Sequence, residues 1–232
     1  MFWNKQKGQV RADEKCADAL FVVLTDNLKK DGRIRAEDVI TAAASITGER
    51  CIEAAGNFNP RKHDFVPGSR VFSDKVNELI AGDSAGNDLD AVPAESIIGI
   101  LRDRLLLSGY AKSDFSPLTV IFEHFAANVG SASEWGRVPL SVPEGNRPFI
   151  LPLRVNYETR SIVDRVFQPL PNPPERLTAA VLTLSKVLIA VQQVIDKKVA
   201  LLLALQTVNG MAKTAPMTDE AMSATKSKSS AR

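Results

Sequence analysis

A serine at position 84 lies between two closely spaced glycines, in the segment Gly82-Asp83-Ser84-Ala85-Gly86. A serine hydroxyl becomes a nucleophile when a histidine accepts its proton and a carboxylate orients that histidine. The chain carries such partners further on, in the order Asp103 or Asp114 and then His124. Ser84 and His124 are therefore the candidate catalytic residues.

The pattern Gly-x-Ser-x-Gly resembles the nucleophile elbow of the α/β-hydrolase esterases, where the serine lies on a tight turn between a buried strand and a helix. The surroundings of Ser84 differ from that context. Residues 71–81 have the periodicity of a helix, and polar residues with Pro93 follow where that family has a helix. We therefore disfavour a hydrolase site at Ser84 and predict a loop between two helices.

A second candidate is the segment 27–38, which joins two helical stretches and has Gly32 at its turn. It resembles the loop of an EF-hand, in which oxygens at the first, third, fifth and twelfth positions bind calcium. Asp31 and Asp38 occupy the fifth and twelfth positions, but the third is Lys29, whose charge repels a cation. Asp31 and Asp38 are weak metal candidates, and we expect a helix–turn–helix corner without metal.

Helical periodicity extends over most of the chain, with apolar residues at intervals of three and four. The sequence predicts a mainly α fold, a helical bundle whose residues 1–211 form a single domain. One predicted helix, near 36–55, is rich in small residues. Gly48 within it costs about 1 kcal/mol relative to alanine, so we expect a neighbouring helix to approach closely there.

The bundle is predicted to form around one long C-terminal helix, residues 175–208, which follows a proline-rich break at 169–174. Its apolar residues alternate steps of four and three, a spacing typical of a coiled-coil seam. This seam is either the core of the bundle or the contact with a second copy in a homodimer, and both uses are compatible. We name these residues the seam: Leu177, Val181, Leu184, Leu188, Val191, Ile195, Leu202 and Leu205.

Two segments differ from the helical pattern. Four prolines divide residues 131–156, and we predict a small extended or β-hairpin arm near 137–155 that offers a protein partner the surface 138–156. Residues 212–232 have no periodicity and are predicted to be a disordered tail.

Charge and composition narrow the classes of function. Four basic and two acidic residues follow Met211, which accounts for the whole net charge of +2. A neutral body and few aromatic residues make nucleic acid an unlikely partner. No stretch is apolar for the length of a membrane span, and neither a phosphate-binding loop nor a dinucleotide fingerprint is present. We expect a cytoplasmic protein with no membrane contact and no cofactor, in which Cys16 and Cys51 are reduced.

The sequence does not identify a function. We favour a non-enzymatic helical protein that assembles with itself, as a homodimer, or with another protein, because of the seam and the proline-rich arm. The alternative is a small-molecule-binding protein or an enzyme with a pocket between helices, since bundles hold such sites without a linear motif.

Overall fold

A computed structural model describes residues 11–56, 58–82, 87–128 and 136–220. Within these ranges the chain is mainly α-helical and has no β-strand, which confirms the predicted fold class. The described helices are α1 (Ala12–Asn27), α2 (Ala36–Ala55), α3 (Asp74–Ala81), α4 (Ile97–Leu107), α5 (Leu118–Ala127), α6 (Pro152–Phe167), α7 (Pro173–Val191) and α8 (Lys197–Met211).

Helix α2 is the centre of the bundle. It makes its most extensive contacts with α7 and α8, and it also packs on α3 and α6. Its small residues permit this, because a run of alanine, serine, threonine and glycine lets neighbouring backbones approach. The predicted close approach at Gly48 is present: a Cβ added there would lie 2.6 Å from the Cβ of Met211 in α8.

The predicted long C-terminal helix is two helices. Helix α7 ends at Val191 and α8 begins at Lys197, with residues 192–196 between them. The local cause is Asp196, whose carboxylate accepts a hydrogen bond from the backbone N–H of Val199 at 3.0 Å. Such an N-cap stabilises the start of a new helix. The apolar periodicity of the seam continues across residues 192–196 and therefore does not indicate the break.

The predicted hairpin arm is absent from the described part of the chain. Residues 137–143 have no regular hydrogen bonding, Glu144–Asn146 form one 3-10 turn, and α6 already begins at Pro152. Pro152 is one of the four prolines that divide this segment. It occupies the first turn of α6, where the missing N–H of proline costs no hydrogen bond.

The predicted tail, residues 212–232, lies within the described ranges up to residue 220, and residues 221–232 lie outside them. Residues 212–218 are buried against the bundle, and Met217 packs with Val138, Leu153 and Met211. Arg160 of α6 donates a hydrogen bond to the carbonyl of Met217 at 2.7 Å. Of the described helices, none has the length and apolarity needed to cross a membrane.

Candidate functional site

Of the two candidate catalytic residues, Ser84 and His124, the described ranges contain His124. Ser84 belongs to residues 83–86, which lie outside the described ranges. His124 is on α5, where it lines a cavity of about 420 Å³ together with residues of the segment 137–149. We name this space the Phe149 cavity; its other polar lining residues are Asn128, Arg137, Glu144 and Arg147.

Asp31 and Asp38 have separate structural roles. Asp31 takes a left-handed backbone conformation, with φ of 51°, in the turn between α1 and α2. Asp38 accepts hydrogen bonds from the backbone N–H groups of Phe149 and Ile150 through one carboxylate oxygen, at 2.7 and 3.3 Å. Within the described ranges no three side chains of His, Cys, Asp or Glu are grouped as metal ligands.

The seam lies inside the protomer. Helix α7 packs on α1, α2 and α4, and α8 packs on α2 and α5. All seam residues except the half-buried Leu202 are buried by these contacts. The structure thus uses the seam as the core of its own bundle, one of the two interpretations that the periodicity allowed.

A pocket that the sequence had not indicated lies where the loop after α2 meets the segment that follows α8. The backbone of residues 68–71 pairs with that of 213–215: the N–H of Val71 donates to the carbonyl of Lys213 at 3.0 Å, and the N–H of Ala215 donates to that of Ser69 at 2.8 Å. Gly68 makes the turn into this pairing, with φ of 87°. The pairing positions Arg70 and Lys213 on adjacent segments.

The pocket beside this pairing encloses about 290 Å³. Three phenylalanines, Phe58, Phe65 and Phe72, form much of its wall, and Arg70 contributes its charged group. Phe65 and Phe72 are largely exposed. We name it the Arg70 pocket; its remaining lining residues are Ile52, Val71, Ser73, Val76 and Ala212.

Lys213 follows Ala212, which lines this pocket, and it forms no ion pair with a carboxylate of the described residues. Its side chain is 6% exposed, and its Nζ lies 4.7 Å from the ring centre of Phe122 and 5.5 Å from that of Phe125. Burial lowers the pKa of the ammonium to about 8. Lysine is almost never buried unless it is paired. The aromatic faces stabilise the ammonium charge only in part, compared with the hydration that the side chain would have in water.

Arg70 shares the ring of Phe125 with Lys213. Its Cζ lies 5.3 Å from that ring centre, and its Nη1 donates to the hydroxyl of Thr214. Burial lowers the pKa of this guanidinium too. Neither Arg70 nor Lys213 forms an ion pair with a carboxylate of the described residues. Two positively charged groups therefore lie near the ring of Phe125 with no negative charge from those residues beside them.

Cys51 is the nearest reactive side chain, and its environment makes it inert. Its Sγ is 3.9 Å from the carbonyl oxygen of Val76. Burial raises the pKa of the thiol to about 12, and the nearby positive charge of Lys213 only partly opposes that rise. A thiol that stays protonated is a poor nucleophile, so the pocket is equipped for binding rather than for thiol chemistry.

Sequence reasoning missed this pocket because its parts are distant in the chain. Arg70 follows the loop after α2, whereas Lys213 belongs to the segment 212–232 that is predicted to be a disordered tail. The one available signal was Met217, an apolar residue beyond the last predicted helix.

Comparisons with protein families, with curated proteins and with solved structures found no match to this chain.

Proposed function

We propose that this protein binds a small amphipathic anion, an apolar body that carries a carboxylate head, in the Arg70 pocket. The observation that carries the proposal is the pair Arg70 and Lys213. Arg70 is partly buried and Lys213 is buried near an aromatic wall, and neither has a carboxylate partner among the described residues. Buried groups with perturbed pKa values next to a pocket are typical of functional sites.

The chemistry of the pocket matches both halves of such a ligand. Its phenylalanine and valine side chains gain about 25 cal/mol for each Å² of apolar surface that a ligand covers. A carboxylate head would accept charge-assisted hydrogen bonds from the free donors of Arg70. It would also compensate the charge of Lys213, which is otherwise buried at a cost.

The test is calorimetric titration of the full chain with decanoate and with the neutral decanol. We expect decanoate to bind at least tenfold more tightly, because only the carboxylate compensates the two cations. Arg70→Met and Lys213→Met keep apolar stems and remove the charges. Each should weaken decanoate binding about tenfold or more, since a hydrogen bond to a charged group contributes about 1.5–3 kcal/mol.

Phe149→Leu is the matched control, because Phe149 is an exposed phenylalanine outside this pocket. It should leave decanoate binding unchanged, and circular dichroism should show that all variants are folded. The proposal is wrong if decanol binds as tightly as decanoate, if neither ligand binds, or if Arg70→Met binds decanoate as well as the unsubstituted protein does.

Association with a protein is a second candidate, and the exposed side chains Phe65, Val66 and Phe72 at the pocket rim favour it. A homodimer would have to use such a surface, because the seam is occupied within the protomer. Light scattering over a dilution series tests this: a dimer that Phe65→Ser with Phe72→Ser converts to a monomer would support self-association, and a monomer at all concentrations would oppose it.

A cytoplasmic location is part of the proposal. Cys16 and Cys51 are both free and buried, as is usual for proteins of a reducing compartment. No catalytic step is included.

A further inference from the structure

The loop of residues 144–150 is fixed to the start of α2 by polar side chains. Glu37 accepts a hydrogen bond from the side-chain amide of Asn146 at 2.9 Å, and Arg35 donates to the carbonyl of Gly145 at 2.8 Å. Together with the two bonds that Asp38 accepts from Phe149 and Ile150, these contacts hold the loop in one conformation.

This fixed loop keeps an aromatic ring in solvent. Phe149 is 78% exposed, and the Cζ of Arg35 lies 3.7 Å from its ring centre. The guanidinium lies over one face of the ring, and Phe149 also lines the Phe149 cavity, whose lining does not include Arg35. Burying a phenylalanine side chain stabilises a folded protein by about 1.5–3 kcal/mol. The loop holds Phe149 where its ring does not contribute that stabilisation.

Two other side chains that line the cavity, His124 and Arg147, have atoms that can form hydrogen bonds with a ligand. The Nε2 of His124 is buried and has no hydrogen-bond partner among the described residues. Arg147 is about half exposed and pairs with Glu144 at 3.1 Å through its Nε, which leaves its terminal N–H groups for a ligand.

We infer that the Phe149 cavity binds a planar aromatic ring that carries an anionic group, with a nucleoside monophosphate as the representative ligand. The ring stacks on the open face of Phe149, opposite Arg35. The anion binds the terminal N–H groups of Arg147, and the Nε2 of His124 hydrogen-bonds a polar group of the ligand. A volume of about 420 Å³ is within the usual size of ligand pockets, roughly 300–1,000 Å³.

The experiment is a titration of the full chain with AMP, adenosine and inorganic phosphate, followed by nitrogen-15 NMR of the histidine rings. The chain has two histidines, so His63 is an internal reference for His124. We expect AMP to bind at least tenfold more tightly than adenosine or phosphate and to shift the ring nitrogens of His124 but not those of His63.

Phe149→Leu should weaken AMP binding about five- to a hundredfold, the range expected when a base loses its aromatic partner. Arg147→Gln should reduce AMP binding to the level of adenosine. Phe72→Leu removes an exposed ring of the Arg70 pocket and should have no effect. The inference is overturned if AMP does not bind, if adenosine binds equally well, or if Phe149→Leu leaves the affinity unchanged.

Discussion

Gly48 of α2 lies directly against Met211 of α8, and a Cβ on the glycine would stand 2.6 Å from the Cβ of that methionine. The backbone nitrogen of Ala212 and the carbonyl oxygen of Val208 would each be 2.9 Å away. These three atoms belong to the backbone or are attached directly to it, so they cannot move away from an added Cβ unless the backbone of α8 also shifts. The distance between α2 and α8 is therefore set by the absence of a side chain at Gly48.

We predict that Gly48→Ala destabilises the protein even though alanine is the better helix former. Overpacking a core typically costs about 1–3 kcal/mol, which exceeds the roughly 1 kcal/mol that alanine contributes in a helix interior. Urea unfolding followed by circular dichroism should show a lower midpoint. Gly145→Ala is the control, since an added Cβ there has no atom within 4 Å. Equal midpoints for the two variants would show that the helices separate at little cost.

A buried charge network joins α2 to α6 and gives a second prediction. Glu49 is 1% exposed and accepts hydrogen bonds from Asn156 at 2.6 Å and from Arg160 at 3.0 Å. Glu49→Gln removes the negative charge and leaves Arg160 buried and uncompensated. We expect the free energy of unfolding to fall by about 3–5 kcal/mol, the usual cost of breaking a buried pair.

The exposed pair Arg154 and Glu158, at 2.7 Å on the outside of α6, provides the comparison. Glu158→Gln removes a similar charge where water replaces it, and it should cost less than about 1 kcal/mol. If chemical denaturation gave the same loss for both variants, the network at Glu49 would be open to water, and its role in joining the two helices would be refuted.

Local sequence patterns were enough to predict a helical bundle. They did not predict the break after Val191 or the burial of residues 212–218. The helix from Ala36 to Ala55 was predicted with its ends, because periodicity and Gly56 are properties of neighbouring residues. The break after Val191 was missed, because the seam pattern continues through it and only the Asp196 cap reveals it. The burial of residues 212–218 depends on contacts with Arg160 and with residues 68–71, which no local pattern records.

The candidate site was less predictable than the fold for the same reason. Arg70, Phe125 and Lys213 come from three distant segments and form no linear motif. His124 was selected as a base for Ser84, but it contributes instead to the Phe149 cavity. Asp38 was selected as a metal ligand, and it anchors the loop that presents Phe149.

The burial of the seam predicts how its substitution affects stability. Leu188 is fully buried within the protomer, so Leu188→Ala should lower the free energy of unfolding by about 2–5 kcal/mol, as cavity-forming substitutions do. The loss should not depend on protein concentration. Val194→Ala, at a 77% exposed position after α7, should change stability by less than about 0.5 kcal/mol. A midpoint that rises with protein concentration, and a rise that Leu188→Ala abolishes, would instead assign the seam to a dimer.

Lys213 predicts a pH dependence of stability with a definite sign. Burial lowers the pKa of its ammonium from 10.5 to about 8. Between these two values the unfolded chain holds a proton that the folded chain has released. The stability contribution of this group therefore rises with pH across that window, and the full cost of the buried charge is present below pH 8. Cys51 acts in the opposite direction above pH 9, because burial raises its thiol pKa to about 12.

Comparing Lys213→Met with the unsubstituted protein at each pH cancels most of the contribution of Cys51, since Cys51 is present in both and burial is the main cause of its raised pKa. Methionine keeps the apolar stem and abolishes the buried charge, so the variant should be more stable by about 1–3 kcal/mol at pH 7, given about 1.4 kcal/mol for each pKa unit. The advantage should shrink from pH 8 upward and be nearly absent by about pH 11, above the unfolded-state pKa of 10.5. Saturating decanoate should also reduce it at pH 7, because the carboxylate compensates the charge only where the lysine is present. A stability difference that is constant with pH would mean that the ammonium is hydrated in the folded state, and the Arg70 pocket would then have no uncompensated lysine charge with which to select an anion.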